Sequence, residues 1–200
     1  MNPFEIGLKK YFSDEQLSKI RAQKIGIAGA GGLGSNSAHV LVRCGFKNFE
    51  ILDSDIIDAS NLNRQLFFSD EVGLPKAETL KKRLLSINQD LNITIHHVRW
   101  TKENGDQFFH SCDFIMECFD RAENKHALVN FYHDKTQFLI SGNGVAGIGL
   151  EHKLTIKKHG NIYIIGDGTS NVLDGTPPLA PSVIGCSAKM AEIVLELTLA

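Results

Sequence analysis

The run Gly29-Ala30-Gly31-Gly32-Leu33-Gly34 stands between a short apolar stretch, Lys24 to Gly29, and a segment, Ser35 to Cys44, whose apolar residues recur at helical spacing and stop at Gly45. A glycine-rich turn between a strand and a helix admits few folds. Missing side chains let a phosphate approach the backbone amides at the helix N-terminus, which is the grammar of a nucleotide-binding βαβ unit. The next strand, Phe49 to Asp53, completes that unit and ends in a carboxylate about 20 positions after Gly34, where it can accept hydrogen bonds from a ribose.

Downstream, a helix over Lys76 to Ile87, strands over Ile93 to Trp100 and Phe114 to Phe119, a helix over Ala122 to His133 and a strand over Phe138 to Ser141 alternate. That order predicts an α/β fold, a Rossmann-like doubly wound and mainly parallel sheet that binds ligands outside the carboxyl ends of its strands. After Gly149 the pattern changes. Lys153 to Lys157 and Ile162 to Ile165, joined by His159-Gly160, predict an antiparallel hairpin, and a closing helix follows from about Val183 to Ala200. Ahead of the first strand, Phe12 to Arg21 reads as a helix capped by Ser13 with Gln16 three positions on, part of a helical lead-in over residues 1–23. No repeat or linker divides the chain, so residues 1–200 are read as a single domain.

The connection from Ser54 to Pro75 far exceeds the roughly 2 to 6 residues usual between α/β elements, and such length tends to carry function. It contains Asp55, Asn61, Asn63 and Arg64 and leads into Lys76. Two phosphates need little beyond a glycine loop, whereas an arginine fork and a lysine point charge together suit a triphosphate. Asp120, at the end of the strand starting at Phe114, faces the same rim and has two readings, a helix cap or a carboxylate holding magnesium against phosphate oxygens. Beside Arg64 and Lys76, the metal role is preferred.

Gly29 to Gly34, Asp53, Asp55, Ser60-Asn61-Leu62-Asn63-Arg64-Gln65, Pro75-Lys76 and Asp120, in that order, resemble the E1-like adenylation family of ThiF, MoeB and the ubiquitin-activating enzymes, over about Lys24 to Ala200. The resemblance is nearest to the compact ThiF form. It implies a single ATP-binding adenylation domain that takes ATP and Mg2+, with the glycines Gly29, Gly31, Gly32 and Gly34 and the side chains of Asp53, Asp55, Asn61, Asn63, Arg64 and Lys76 as nucleotide contacts. Arg64, Lys76 and Asp120 would be catalytic, and Asp120 the magnesium ligand. The implied reaction is adenylation of the C-terminal glycine of a ubiquitin-fold sulfur carrier, ThiS-like and serving thiamine thiazole synthesis, or another carrier such as the small subunit of molybdopterin synthase. A homodimer is also implied. The R-Y-x-R-Q segment that sends an arginine into a partner subunit in larger relatives is absent, and the N-terminal cations here are Lys9, Lys10, Lys19 and Arg21.

Composition narrows the alternatives. A formal charge of −2 and no basic run longer than Lys81-Lys82-Arg83 argue against nucleic acid or an anionic membrane as partner. Apolar runs such as Ile162 to Ile165 fall far short of the roughly 18 residues a transmembrane helix needs, and the start lacks a signal-peptide pattern, which predicts a cytoplasmic protein. Cys44, Cys112, Cys118 and Cys186 form no C-x-x-C pair, so neither structural zinc nor a disulfide framework is expected. Cys118 and Cys186 read as packing residues, and His96-His97, on opposite faces of a strand, receive no chemistry. The turn-rich stretch from Gly166 to Pro181 reads as a crossover that receives the carrier's tail. Two rivals remain: an NAD-dependent oxidoreductase, disfavoured by Arg64, Lys76 and Asp120, and a non-catalytic nucleotide-binding scaffold.

Overall fold

The computed structural model describes residues 2–135, 137–149, 154–170 and 175–200. Helices α1 (Pro3–Leu8) and α2 (Asp14–Ala22) lead into β1 (Lys24–Ala28), α3 (Gly32–Arg43), β2 (Asn48–Leu52), α4 (Lys76–Ile87), β3 (Asn92–His96), β4 (Phe114–Glu117), α5 (Ala122–Tyr132), β5 (Phe138–Gly142), β6 (Thr155–His159), β7 (Ile162–Gly166) and α6 (Ala180–Leu199). These strands make one sheet in the order β3-β2-β1-β4-β5-β7-β6, parallel throughout except for β6. Strand order reverses between β1 and β4, where Ile27 pairs with Ile51 on one side and Met116 on the other. This is the switch point at which doubly wound sheets open a crevice for ligands.

Buried apolar side chains cover both faces, as a parallel sheet requires. On one face α3, α4 and α6 close over Ile25, Ile27, Ile51 and Met116. On the other, Trp100, Phe108, Phe109, Leu128 and Tyr132 close over Ile115 and Leu139. Cys118 and Cys186 lie in the first layer, as the packing reading expects. Burial pushes the Cys118 thiol far above its ordinary range and the Cys186 thiol up to about 12.

Ser13 and Gln16 form the capping box read from the sequence, and α4 spans the residues expected of it. Elsewhere tertiary packing moved the boundaries. Helix α3 begins at Gly32, three residues before the expected Ser35, so half of the glycine run belongs to its first turn. The strand expected over Ile93 to Trp100 ends at His96. Trp100 instead turns into the core, packing edge-on to Phe131 at 5.6 Å. Helix α6 starts at Ala180 rather than Val183, with Pro181 tolerated in its first turn.

The hairpin pairs Thr155–His159 with Ile162–Gly166, later than expected, and Lys153 lies outside the described residues. Helix α1 was not foreseen. Asn2 caps it by accepting the Glu5 N–H at 3.0 Å, and buried Glu5 pairs with Arg21 and with Lys47 at 3.0 Å. Arg21 is therefore tied down within its own chain.

Candidate active site

The glycine loop is built from the inside. Gly29 sits at φ +99°, a conformation that side chains rarely adopt, and its N–H donates to Leu52 O at 2.9 Å, joining the loop to β2. A Cβ on Gly34 would stand 1.8 Å from Gly29 O, so α3 can approach β1 only with glycine there. Gly31 is the N-cap of α3 and no side chain caps it, which leaves first-turn N–H groups without a capping side chain at the positive end of a 12-residue helix. A Cβ at Gly31 would meet nothing nearer than Gln65 Nε2 at 3.7 Å, whereas one at Gly32 would press on Val183 at 2.9 Å. Gly29 and Gly34 shape the loop, and Gly31 leaves it open.

Asp53, at the end of β2, is only 8% exposed and turns inward. Its Oδ2 accepts the Ala30 N–H at 2.6 Å and its Oδ1 accepts the Asp55 N–H at 2.7 Å. The expected ribose acceptor is thus first the anchor of the glycine loop. Burial raises its pKa, against the pull of those two N–H bonds and of Lys76. Asp55 continues the chain, accepting from Lys76 Nζ at 2.9 Å, while Lys76 N–H donates to Asp55 O. Asp53, Asp55 and Lys76 form one connected edge.

Arg64 approaches from the other side of the loop, its Cγ 3.5 Å from where a Gly32 Cβ would stand. Its Nη1 donates to Ser60 O at 3.0 Å and Asn63 Oδ1 at 2.7 Å, and among the described residues no carboxylate pairs with it. Asn61 completes a capping box with Asp58, and Asn63 donates to Pro178 O at 3.0 Å. Both asparagines, expected as nucleotide contacts, make internal bonds that shape the loop around Arg64. Asn36, in α3, donates to Gly32 O and Arg64 O at 2.7 and 2.8 Å and fixes the loop to the helix.

Asp120 shares a cleft with Asp53, Asp55, Arg99, Trp100 and Arg121 at the carboxyl ends of the strands. The capping alternative fails: the N-cap of α5 is Arg121, and no side chain caps that helix. Exposed Asp120 makes no hydrogen bond or ion pair with any other described residue. No group of three His, Cys, Asp or Glu among the described residues is arranged to hold a metal by itself. A lone carboxylate still suits magnesium, which binds through one or two carboxylates together with substrate phosphates.

The sequence reading missed Arg99, Arg121, Glu117 and Lys125. Glu117, an acid inside the apolar run Phe114 to Phe119, was the available signal, since a fully buried carboxylate demands a partner. His96 Nε2 lies 3.3 Å from Glu50 Oε1, while His97 falls beyond the end of β3 rather than on its opposite face and lies, exposed, 3.6 Å from Glu78.

The ThiF family model matches residues 5–174. The chain belongs to the ThiF family. It is 34% identical over 145 residues to Adenylyltransferase and sulfurtransferase UBA4 of Candida glabrata, a match covering 72% of this chain and 33% of that protein. It is 44% identical over 105 residues to SUMO-activating enzyme subunit 2 of Dictyostelium discoideum, covering 51% of this chain and 16% of that protein. The matches thus span about a third or less of these curated relatives. In fold, this ThiF-family chain superposes on the E. coli tRNA N6-threonylcarbamoyladenosine dehydratase TcdA in complex with AMP, with TM-score 0.87 and 19% identity over 96% of this chain and 92% of that one. It also superposes on E. coli MccB with ATP, with TM-score 0.73 and 20% identity over 92% of this chain and 58% of that one.

Proposed function

We propose that residues 1–200 act as an ATP-dependent adenylation domain that activates the C-terminal glycine carboxylate of a ubiquitin-fold carrier and releases pyrophosphate. The observation that carries this reading is one rim of the sheet on which an uncapped helix N-terminus, Lys76, Arg64 and the carboxylate of Asp120 gather around the anchored glycine loop. Relatives named as adenylyltransferases and as a SUMO-activating enzyme support it.

The chemistry needs no general base. A C-terminal carboxylate has a pKa of about 3.5 and is already an ionised nucleophile at neutral pH. Its oxygen bonds to the α-phosphorus while the bond from that phosphorus to the bridging oxygen of pyrophosphate breaks. The protein's part is to align the two reactants and offset charge on the leaving group, through the α3 amides, Arg64 and Lys76. Magnesium, held by Asp120 and phosphate oxygens, would supply further charge neutralisation.

The finer assignment is a ThiS-like carrier used in thiazole synthesis, in a cytoplasmic homodimer. A second reading, another sulfur carrier, is favoured by the relatives whose names join adenylyltransferase to sulfurtransferase. The test is exchange of labelled pyrophosphate into ATP with magnesium and a panel of Gly-Gly-ended carriers. Exchange that depends on one carrier is expected and identifies it. Equal exchange without any carrier, or none with every carrier, overturns the reading.

A further inference from the structure

Close to Asp120 in the chain lies a charge pair that the adenylation chemistry above does not use, its carboxylate fully buried and its lysine partly exposed. Glu117, the last residue of β4, is completely buried, and both of its carboxylate oxygens accept hydrogen bonds. Its Oε1 accepts the Phe119 N–H at 2.8 Å, folding back onto the exit of its own strand. Its Oε2 accepts from Lys125 Nζ at 2.9 Å and from Ser141 Oγ at 2.6 Å. Lys125 Nζ also donates to Gly142 O at 2.8 Å, at the end of β5.

The lysine stands in the first turns of α5, where a positive charge opposes the helix dipole. Stability alone accounts poorly for the pair, because a fully buried carboxylate carries a desolvation cost that an apolar residue in its place would avoid. What the pair does is join three pieces of backbone: the β4 exit that carries Asp120, the start of α5 and the end of β5. Past Gly142 the link continues. Asp167 N–H donates to Gly144 O, Gly147 N–H donates to Pro177 O, and Asn63, the partner of Arg64, donates to Pro178 O.

We propose that Lys125, held between Glu117 and the Gly142 carbonyl, is a positioning residue that fixes the Asp120 turn relative to the exit of β5. The proposal rests on the adenylation reading for its kinetic consequence but not for its mechanical one. Replacing Lys125 alone would strand a buried carboxylate, and such a variant can fail to fold. The test therefore compares wild type, Lys125→Arg and the neutral double variant Glu117→Gln with Lys125→Met.

Amide hydrogen exchange read by mass spectrometry needs no substrate. In the double variant, segments 118–121 and 142–146 are expected to exchange about tenfold faster or more, with β1 and β2 unchanged. In the pyrophosphate assay, kcat of the double variant should fall on the order of 10²-fold, the cost of a misplacement near 1 Å, with KM for ATP within about threefold. Lys125→Arg should recover most of kcat. Wild-type exchange in both segments overturns the proposal, as does fast local exchange with kcat unchanged. If the wild-type protein shows no pyrophosphate exchange with any carrier, the adenylation reading fails, and the amide-exchange result alone decides the proposal.

Discussion

Replacing Asp120 by Asn removes one charge and little else, which makes it the sharpest probe of the site. Asp120 is exposed, does not cap α5 and has no polar partner among the described residues, so its carboxylate does no structural work that the fold would miss. The largest expected loss of stability is the helix-terminus effect of a nearby negative charge, under about 1 kcal/mol. For a domain of this size that is at most about 4 °C in Tm. If Asp120 holds magnesium against the phosphates, removing it withdraws stabilisation of developing charge. Pyrophosphate exchange should then fall on the order of 10²-fold, or about 2.7 kcal/mol. The assay is pyrophosphate–ATP exchange across a magnesium titration, with thermal melting of the same preparation. The reasoning is refuted by a variant that melts normally and exchanges within about threefold of wild type at limiting magnesium.

Asp53→Ala should behave in the opposite way. It strands the Ala30 and Asp55 N–H groups, and losing two bonds to a charged acceptor costs roughly 3 to 5 kcal/mol. Differential scanning calorimetry should show Tm lower by about 6 to 20 °C, and a drop under about 2 °C would mean that the carboxylate does not anchor the loop. Glu50 supplies a pH prediction. Burial pushes its carboxyl up, but Lys24 at 2.8 Å and the Phe109 N–H at 2.9 Å outweigh this and hold its pKa below the ordinary range. A folded-state pKa below the unfolded one contributes stability above the unfolded value, lost as pH falls through the folded value. Urea unfolding should therefore show Glu50→Gln less stable than wild type at pH 7, with the gap narrowing from about pH 5 to pH 3. A gap independent of pH would exclude Glu50 as the source.

How much of the site was legible varied with the range of the interaction that decides it. The Ser13 cap, the helix after Pro75 and the close approach of Gly34 to Gly29 O follow from contacts within a few residues, where sequence spacing is spatial spacing. Arg64 and Lys76 were found because a long polar connection after β2 has no structural excuse. The inward turn of Asp53 could not be read. Its partner Ala30 is 23 residues away and reaches it only once β1 and β2 pair in register.

The kind of fold, and the place on it where a nucleotide belongs, were legible along the chain, because a glycine turn between strand and helix, alternating apolar periods and a strand-end acid are local signals. Which polar groups remain available depended largely on contacts between distant segments. Tertiary structure turned Asp53 to Ala30 and Asn63 to Pro178, tied Lys76 to Asp55, and left Asp120 exposed. It also paired β5 with β4, setting Ser141 opposite Glu117, and so brought Ser141 and Gly142 to Glu117 and Lys125. The physical reason is that a buried polar group must find its partner wherever the sheet register puts one, and register is a property of the assembled sheet rather than of any segment of the chain.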